Sequence, residues 1–207
     1  MSLSPAELQT LHAMWLPVAL YALVCSASPG PVNIVAVASG MSFGVRRTLP
    51  QITGAALGFS LLMFAVGMGL GELLRAVPWL LSALKIGGGL FLCYLAYKLF
   101  LASGEGADVS LARPPSFWDG ALAQWLNPKA WIVSAAGVST YTVPGAAYQA
   151  SVAGMTLLFL LMCFGSTGAW ALLGASAKNW LNSPALTRRF NQAMALLLLL
   201  SVFSLFL

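Results

Sequence analysis

The chain has 207 residues, of which 59% are hydrophobic and only 7% are charged, and its formal net charge is +5. This small number of charges cannot cover the surface of a soluble domain, and the composition therefore excludes soluble domains. It predicts an integral membrane protein in contact with membrane lipid. The ten lysines and arginines are spread along the chain rather than clustered, which argues against a nucleic-acid partner.

Six apolar runs are long enough to cross a bilayer, since a transmembrane helix needs about 20 residues. The predicted fold class is therefore all-α integral membrane, with six transmembrane helices. The predicted spans are residues 14–40, 48–70, 79–101, 117–141, 149–173 and 190–207.

A polar stretch at residues 102–116 divides the chain into two halves and is the predicted cytoplasmic linker. We expect one membrane domain, with a first three-helix repeat at 1–101 and a second at 117–207. Residues 30–40 and 127–137 both combine a proline, an apolar run and a glycine, so the halves are weakly similar. Three spans in each half would invert the second copy, which is the repeat arrangement of many secondary transporters.

The basic residues also predict a topology. Arg75 alone lies in the connections on one side, whereas the first, third and fifth connections collect most of the remainder. The positive-inside rule then places both termini in the periplasm. The basic residues on the predicted cytoplasmic side are Arg46, Arg47, Lys98, Arg113, Lys178, Arg188 and Arg189.

Pro29, Pro31 and Pro128 fall near the centres of the first and fourth predicted spans. Each removes a helical hydrogen bond and leaves a carbonyl without its donor, which is costly in hydrocarbon. We therefore expect both helices to be broken at mid-membrane depth, with Ser28 and Asn127 capping the new helix starts. Two such starts present free amides and positive dipole ends that suit a carboxylate. The alternative is a pair of ordinary proline kinks packed against neighbouring helices.

Other polar residues lie close to these breaks. Lys129 stands at predicted mid-depth, where a lysine charge is costly and usually functional, although snorkelling to the interface is the alternative. Asn33 and Gln124 supply amide donors and acceptors, or else hold helices together. The predicted substrate-binding set is Ser28, Pro29, Gly30, Pro31, Asn33, Gln124, Asn127, Pro128 and Lys129.

Acidic residues are scarce, which limits the mechanisms open to the chain. Asp119 begins the fourth span, where it either complements the helix dipole or carries protons on the cytoplasmic side. The sequence contains no paired catalytic acids and no metal-ligand spacing, so we expect neither an enzyme nor a metal or cofactor site. An intramembrane enzyme is the least favoured alternative.

Small residues predict close helix packing. Gly54 and Gly58 share one helix face, which serves either packing within the chain or a homodimer surface. Cys25, Cys93 and Cys163 lie in separate apolar runs and are interpreted as small core residues.

An ordered set of motifs resembles the LysE/RhtB amino-acid exporter family over nearly the whole chain. The motifs are Ser-Pro-Gly-Pro-Val-Asn at 28–33, Gly40-x3-Gly44-x-Arg46, Leu84-Lys85-x2-Gly88, Leu92-x-Tyr94-Leu95-x-Tyr97-Lys98 and Phe117-x2-Gly120 leading to Asn127-Pro128-Lys129. The resemblance implies a six-span exporter of amino acids and their derivatives in the bacterial inner membrane, with the proton gradient as the usual supposed drive. It places Pro29, Gly30, Pro31, Asn33, Asn127, Pro128 and Lys129 on the family's signature positions.

Two positions depart from the family pattern. Many members have an acidic residue where this chain has Phe59, so the resemblance implies no proton role there and disfavours a cationic substrate. Many have Asn where this chain has Gln124, and Gln124 together with the tract at 164–174 is most similar to the cysteine/O-acetylserine exporter branch. We expect a proton-coupled exporter of small amino acids, with a passive channel for small neutral solutes as the alternative.

Overall fold

The computed structural model describes residues 5–70, 113–180 and 184–203, together with scattered positions between 76 and 100. Within these residues all regular structure is helical, which confirms the predicted all-α class. The helices are α1 (Pro5–Ala27), α2 (Pro31–Phe43), α3 (Val45–Ala65), α4 (Phe117–Trp125), α5 (Pro128–Tyr141), α6 (Tyr148–Trp180) and α7 (Pro184–Phe203). A π-helical turn at Val66–Leu70 follows α3, and a 3-10 turn at Gly145–Ala147 precedes α6.

Among the described residues, three segments are long and apolar enough to cross a membrane: Leu8–Ala27, Val45–Leu70 and Gly145–Ala177. Pro31–Phe43 is a shorter apolar helix. Exposed leucines and phenylalanines cover the outer faces of α1, α3 and α6, as expected of surfaces that meet lipid. Most of the third predicted span and residues 102–112 of the predicted linker lie outside the described residues, so the count of six spans stays a prediction.

The first and fourth predicted spans are both interrupted where the prolines stand. Helix α1 ends at Ala27 and α2 begins at Pro31, whereas α4 ends at Trp125 and α5 begins at Pro128. In contrast, Pro17 and Pro50 lie inside α1 and α3 without ending either helix. Proline alone therefore does not stop these helices. The helices stop where proline adjoins an extended glycine or an asparagine that caps the next turn.

Close backbone contacts hold the helices around the breaks. Gly54 and Gly58 of α3 lie against Phe117 and Ala121 of α4, so closely that a Cβ at Gly54 would overlap the Phe117 carbonyl. The predicted small-residue packing is thus confirmed within the chain. Helix α6 packs against α1, α2 and α3, and a Cβ at Gly40 of α2 would overlap the α6 backbone. Helix α3 of the first half therefore lies against the interrupted span of the second half, and α6 of the second half lies against the interrupted span of the first half.

Several boundaries differ from the predicted ones, since α1 begins at Pro5 and α7 at Pro184, before the predicted starts of the first and last spans at residues 14 and 190. Helix α6 continues to Trp180, beyond the predicted end of the fifth span at residue 173. A single residue, Gly44, joins α2 to α3, and its φ of 79° lies in the left-handed region that glycine adopts without strain. This tight turn sends α3 back alongside α2, towards the break.

Candidate functional site

A cavity lies between the two breaks. The cavity volume is about 40 Å³, and α1 to α6 all contribute to its wall. Seven of the nine predicted substrate-binding residues line it: Ser28, Gly30, Pro31, Asn33, Gln124, Asn127 and Lys129. Pro29, Pro128 and Asp119 are not among the described residues that line the cavity.

Side chains replace the hydrogen bonds that the prolines remove at the first break. The carbonyl of Cys25, whose helical donor would have been a proline nitrogen, accepts a hydrogen bond of 2.9 Å from Ser28 Oγ. The carbonyl of Ala27, orphaned in the same way, accepts one of 3.0 Å from Trp170 Nε1 of α6. The break is tolerated because its carbonyls have donors, as an apolar environment requires.

Asn33 holds the same break from the other side. Its Nδ2 donates to the carbonyls of Ser26 at 2.8 Å and Ser28 at 3.0 Å, and its Oδ1 accepts from Thr167 Oγ1 at 3.1 Å. The amide of Asn33 is therefore occupied by contacts within the protein. It keeps the unwound segment in place and ties it to α6.

The second break is satisfied by similar means. The carbonyl of Trp125 accepts a 2.7 Å hydrogen bond from Trp131 Nε1, and the carbonyl of Gln124 accepts one of 3.1 Å from the Asn127 backbone. Asn127 Oδ1 accepts from the backbone amide of Lys129 at 3.1 Å, so the predicted cap of α5 is confirmed.

The predicted cap of α2 is wrong. Gly30, not Ser28, is the N-cap residue, and its extended backbone leaves the helix start without a side-chain cap. Ser28 Oγ cannot fill that role because it turns back to Cys25 and also accepts a hydrogen bond from Lys129 Nζ. Pro31 has no amide proton and the Ile34 amide donates to the Gly30 carbonyl at 3.0 Å, so the amides of Val32 and Asn33 are the ones without an acceptor within the helix.

Polar contacts form a closed ring around the cavity. They run from Lys129 Nζ to Ser28, then through Asn33, Thr167, Cys163, Gln124 and Asn127 back to the Lys129 backbone. The links through Cys163 and Gln124 are long, with 3.9 Å between Cys163 Sγ and Thr167 Oγ1, 3.6 Å between Gln124 Nε2 and Cys163 Sγ, and 3.5 Å between Asn127 Nδ2 and Gln124 Oε1. Contacts this long are weak and can be exchanged for ligand contacts at little cost.

Comparison with known protein families shows to which one the chain belongs. Residues 23–207 match the family described as LysE type translocator. The chain belongs to this family. A translocator is a transport protein, so the resemblance drawn from the motifs and the prediction that the chain is not an enzyme are both confirmed.

Relatives of this LysE-type translocator bear a more specific name. A cysteine/O-acetylserine efflux protein of Escherichia coli O139:H28 is 28% identical over 190 residues, which cover 91% of this chain and 93% of that protein. Proteins of the same name from Escherichia coli K12 and Shigella flexneri are 29% identical over 165 residues, 79% of this chain and 82% of each relative. No solved structure matches the chain.

Asp119 of this translocator lies in a capping box rather than in the cavity wall. Its carboxylate accepts hydrogen bonds from the backbone of Ser116 at 2.7 Å and from Ser116 Oγ at 2.8 Å, and it lies 3.6 Å from Arg113. These contacts belong to the start of α4. They fit the helix-dipole role that the sequence allows for Asp119, and its proton-carrying role stays a prediction.

Several wall residues were not in the predicted site. Their side chains are apolar or small, so a search for charges and helix-breaking residues passes over them. Cys25 and Cys163 line the cavity instead of serving only as core, and Cys93 is exposed, so the predicted core role is wrong for Cys93. The remaining unpredicted wall residues are Ser26, Val32, Phe59, Ala130, Val133 and Thr167.

Aromatic rings from four helices adjoin the cavity. Phe59 of the wall lies 5.2 Å from Phe159, measured between ring centroids, and Phe159 lies 5.7 Å from Tyr21, which lies 5.3 Å from Tyr141. Tyr21 also donates a 3.0 Å hydrogen bond to the carbonyl of Val133 in α5. We call Tyr21, Phe59, Tyr141 and Phe159 the aromatic cluster.

Proposed function

We propose that this protein exports a small amino acid with an uncharged side chain, or a derivative of one, across the bacterial inner membrane. Its membership of the LysE type translocator family and its relatives, which are named cysteine/O-acetylserine efflux proteins, support amino-acid export. The observation that carries the site assignment is the cavity between the two helix breaks, with Lys129 in its wall.

The substrate carboxylate binds at the start of α2, beside the Lys129 ammonium. The first amides of α2 are uncapped there, and the positive end of the helix dipole favours an anion. Lys129 is largely buried and donates to the neutral Ser28 hydroxyl, so a carboxylate would offset a positive charge that is costly to bury.

Gln124 and Asn127 contact the rest of the substrate. Their contacts with each other and with Cys163 are long, so a substrate group replaces them at little cost. Asn33 has the different role of holding the first break, because all of its polar atoms are engaged at 3.1 Å or less. Phe59, Ala130 and Val133 offer an apolar wall to a small uncharged side chain.

Transport proceeds by alternating access between two inverted repeats. Tyr21 of α1 touches Tyr141, the last residue of α5, so α1 approaches the cavity from the side towards which α5 leaves it. Opposite chain directions at the two breaks support inverted repeats at 1–101 and 117–207. The aromatic cluster closes the cavity towards the side of the membrane on which the N-terminus lies, and the positive-inside rule assigns that side to the periplasm.

Proton coupling is part of this proposal, and Asp119 is its candidate carrier at the cytoplasmic face. The passive channel remains the competing function. In inverted membrane vesicles loaded with a proton gradient, a coupled exporter accumulates substrate and loses that accumulation when an uncoupler is added. A channel never accumulates substrate above equilibrium and is unaffected.

The site assignment is tested with Lys129→Ala and Asn127→Ala in the same vesicle assay, using a panel of radiolabelled small amino acids. Both variants should insert into the membrane at normal levels and lose transport. Thr53→Ala is the matched control, because the Thr53 hydroxyl makes a solvent-accessible hydrogen bond to the Leu49 carbonyl of its own helix and Thr53 does not line the cavity. Transport that survives in both cavity variants would overturn the site.

A further inference from the structure

The cavity wall carries a cation without a balancing acid. Of the described residues that line the cavity, Lys129 is the only basic one and none is Asp or Glu. The nearest acid described in the second half, Asp119, is engaged by Ser116 and Arg113. A zwitterionic substrate would leave the occupied cavity with a net positive charge, whereas a substrate of charge −1 would make it neutral. A summed charge of zero for Lys129 and its substrate is favoured, because an unbalanced charge is costly where the dielectric constant is low.

Most strong hydrogen-bond acceptors of the wall already accept a short hydrogen bond, and the exception among the described residues is Gln124 Oε1, whose contact with Asn127 Nδ2 is 3.5 Å. Asn33 Oδ1 accepts from Thr167, and Asn127 Oδ1 accepts from the Lys129 amide. At the first break, the carbonyls of Cys25, Ser26 and Ser28 each accept from a side chain. An α-ammonium group has three protons to donate and needs strong acceptors, which this wall offers poorly.

Donors, in contrast, are in surplus. The Lys129 ammonium has three protons and donates one of them to Ser28. The start of α2 adds the backbone amides of Val32 and Asn33, which have no acceptor within the helix, whereas the Ile34 amide donates to the Gly30 carbonyl. The wall is therefore matched to a ligand that accepts hydrogen bonds at both of its polar ends.

We propose that the preferred substrate is a small carboxylate with net charge −1 whose second polar group is a neutral acceptor, such as an amino acid acylated on its nitrogen. This inference rests on the proposed function for the position of the site and narrows its substrate class. The carboxylate binds the start of α2 and Lys129, and the acyl carbonyl accepts from the amide nitrogens of Gln124 and Asn127, whose present contacts are 3.6 and 3.5 Å long.

The test compares three ligands that share one side chain and differ in charge: L-cysteine, N-acetyl-L-cysteine and L-cysteine methyl ester. The purified full chain is heated in detergent under reducing conditions, and the rise in its unfolding midpoint is followed against ligand concentration, since a ligand of the folded state stabilises it. We expect the N-acetyl compound to reach half of its effect at a concentration about tenfold lower than the zwitterion. The cationic methyl ester should give no shift.

Two further outcomes separate this inference from the proposed function. If L-cysteine binds as well as or better than its N-acetyl derivative, the preference for an anion is overturned while amino-acid export stands. If no amino acid is exported but the N-acetyl compound raises the midpoint, the proposed function fails and the anion preference stands. If none of the three ligands raises the unfolding midpoint, the anion preference is overturned.

A variant tests the origin of the preference. Lys129→Gln keeps a polar side chain but removes the charge, so it should reduce the advantage of N-acetyl-L-cysteine over L-cysteine to about one. A purely structural role for Lys129 would weaken both ligands equally and leave their ratio unchanged, which would contradict the electrostatic argument.

Discussion

Lys129 Nζ donates a hydrogen bond to Ser28 Oγ, joining two residues that are 101 positions apart in the chain and belong to different broken helices. Ser28 in turn donates to the Cys25 carbonyl, which a proline has deprived of its helical donor. One hydroxyl thus both satisfies the first break and positions the cation of the second. The two breaks are parts of one structure.

Replacing Ser28 with alanine removes both contacts. We expect the free energy of unfolding to fall by about 1–3 kcal/mol, the usual cost of leaving a buried polar group unsatisfied. Ser60→Ala is the control, because the Ser60 hydroxyl donates to the Ala56 carbonyl of the continuous helix α3. Unfolding midpoints in detergent should drop for Ser28→Ala and change little for Ser60→Ala. Equal drops would contradict this account.

The two indole donors should matter for stability as well. Trp170→Phe and Trp131→Phe keep an aromatic ring but leave the carbonyls of Ala27 and Trp125 without their donors. We expect Trp131→Phe to cost about 1–3 kcal/mol and Trp170→Phe less, because the Trp131 bond is partly buried and the Trp170 bond is exposed. Trp118→Phe is a fitting comparison, because Trp118 is 69% exposed and should be replaced with little effect on the unfolding midpoint.

The contact between α3 and α4 depends on the absence of a side chain at Gly54. Gly54→Ala would drive a Cβ into the Phe117 carbonyl, which is backbone and cannot turn aside. We expect a loss of about 1–3 kcal/mol or a failure to accumulate in the membrane. Gly168→Ala meets no atom within 4 Å and should be neutral or slightly stabilising. Comparable membrane levels and midpoints for both variants would refute the close approach.

The sequence predicted the positions of the breaks because proline leaves a defect that a membrane helix must satisfy. It did not reveal how the defects are satisfied. Trp170 lies 143 residues from the Ala27 carbonyl that it serves, and nothing local to either residue indicates this pairing. Ser28 was expected to cap α2 from residue type alone, but its hydroxyl donates to the Cys25 carbonyl and its oxygen accepts from Lys129 Nζ.

The polar half of the cavity wall was predictable and the apolar half was not. Asn127 and Lys129 are conspicuous in an apolar segment, since polar groups there need a reason. Phe59, Cys163 and Val133 are ordinary residues of an apolar helix. Their place in the wall follows from how α3, α5 and α6 pack, which depends on contacts far apart in sequence.

The aromatic cluster should control access to the cavity from the N-terminal side. Phe159 is fully buried and contacts both Phe59 and Tyr21, so Phe159→Ala removes the central ring and opens a path between α1, α3 and α6. With Cys25 and Cys93 replaced by serine, Cys163 in the cavity wall is the one remaining thiol, and its rate of labelling measures access to the cavity. A membrane-impermeant thiol reagent added to spheroplasts should label Cys163 faster in Phe159→Ala than in its parent. Phe164→Ala, which shortens an exposed ring of the same helix, should leave the rate unchanged. If labelling rates are equal in all three proteins, the cluster does not close this side of the cavity.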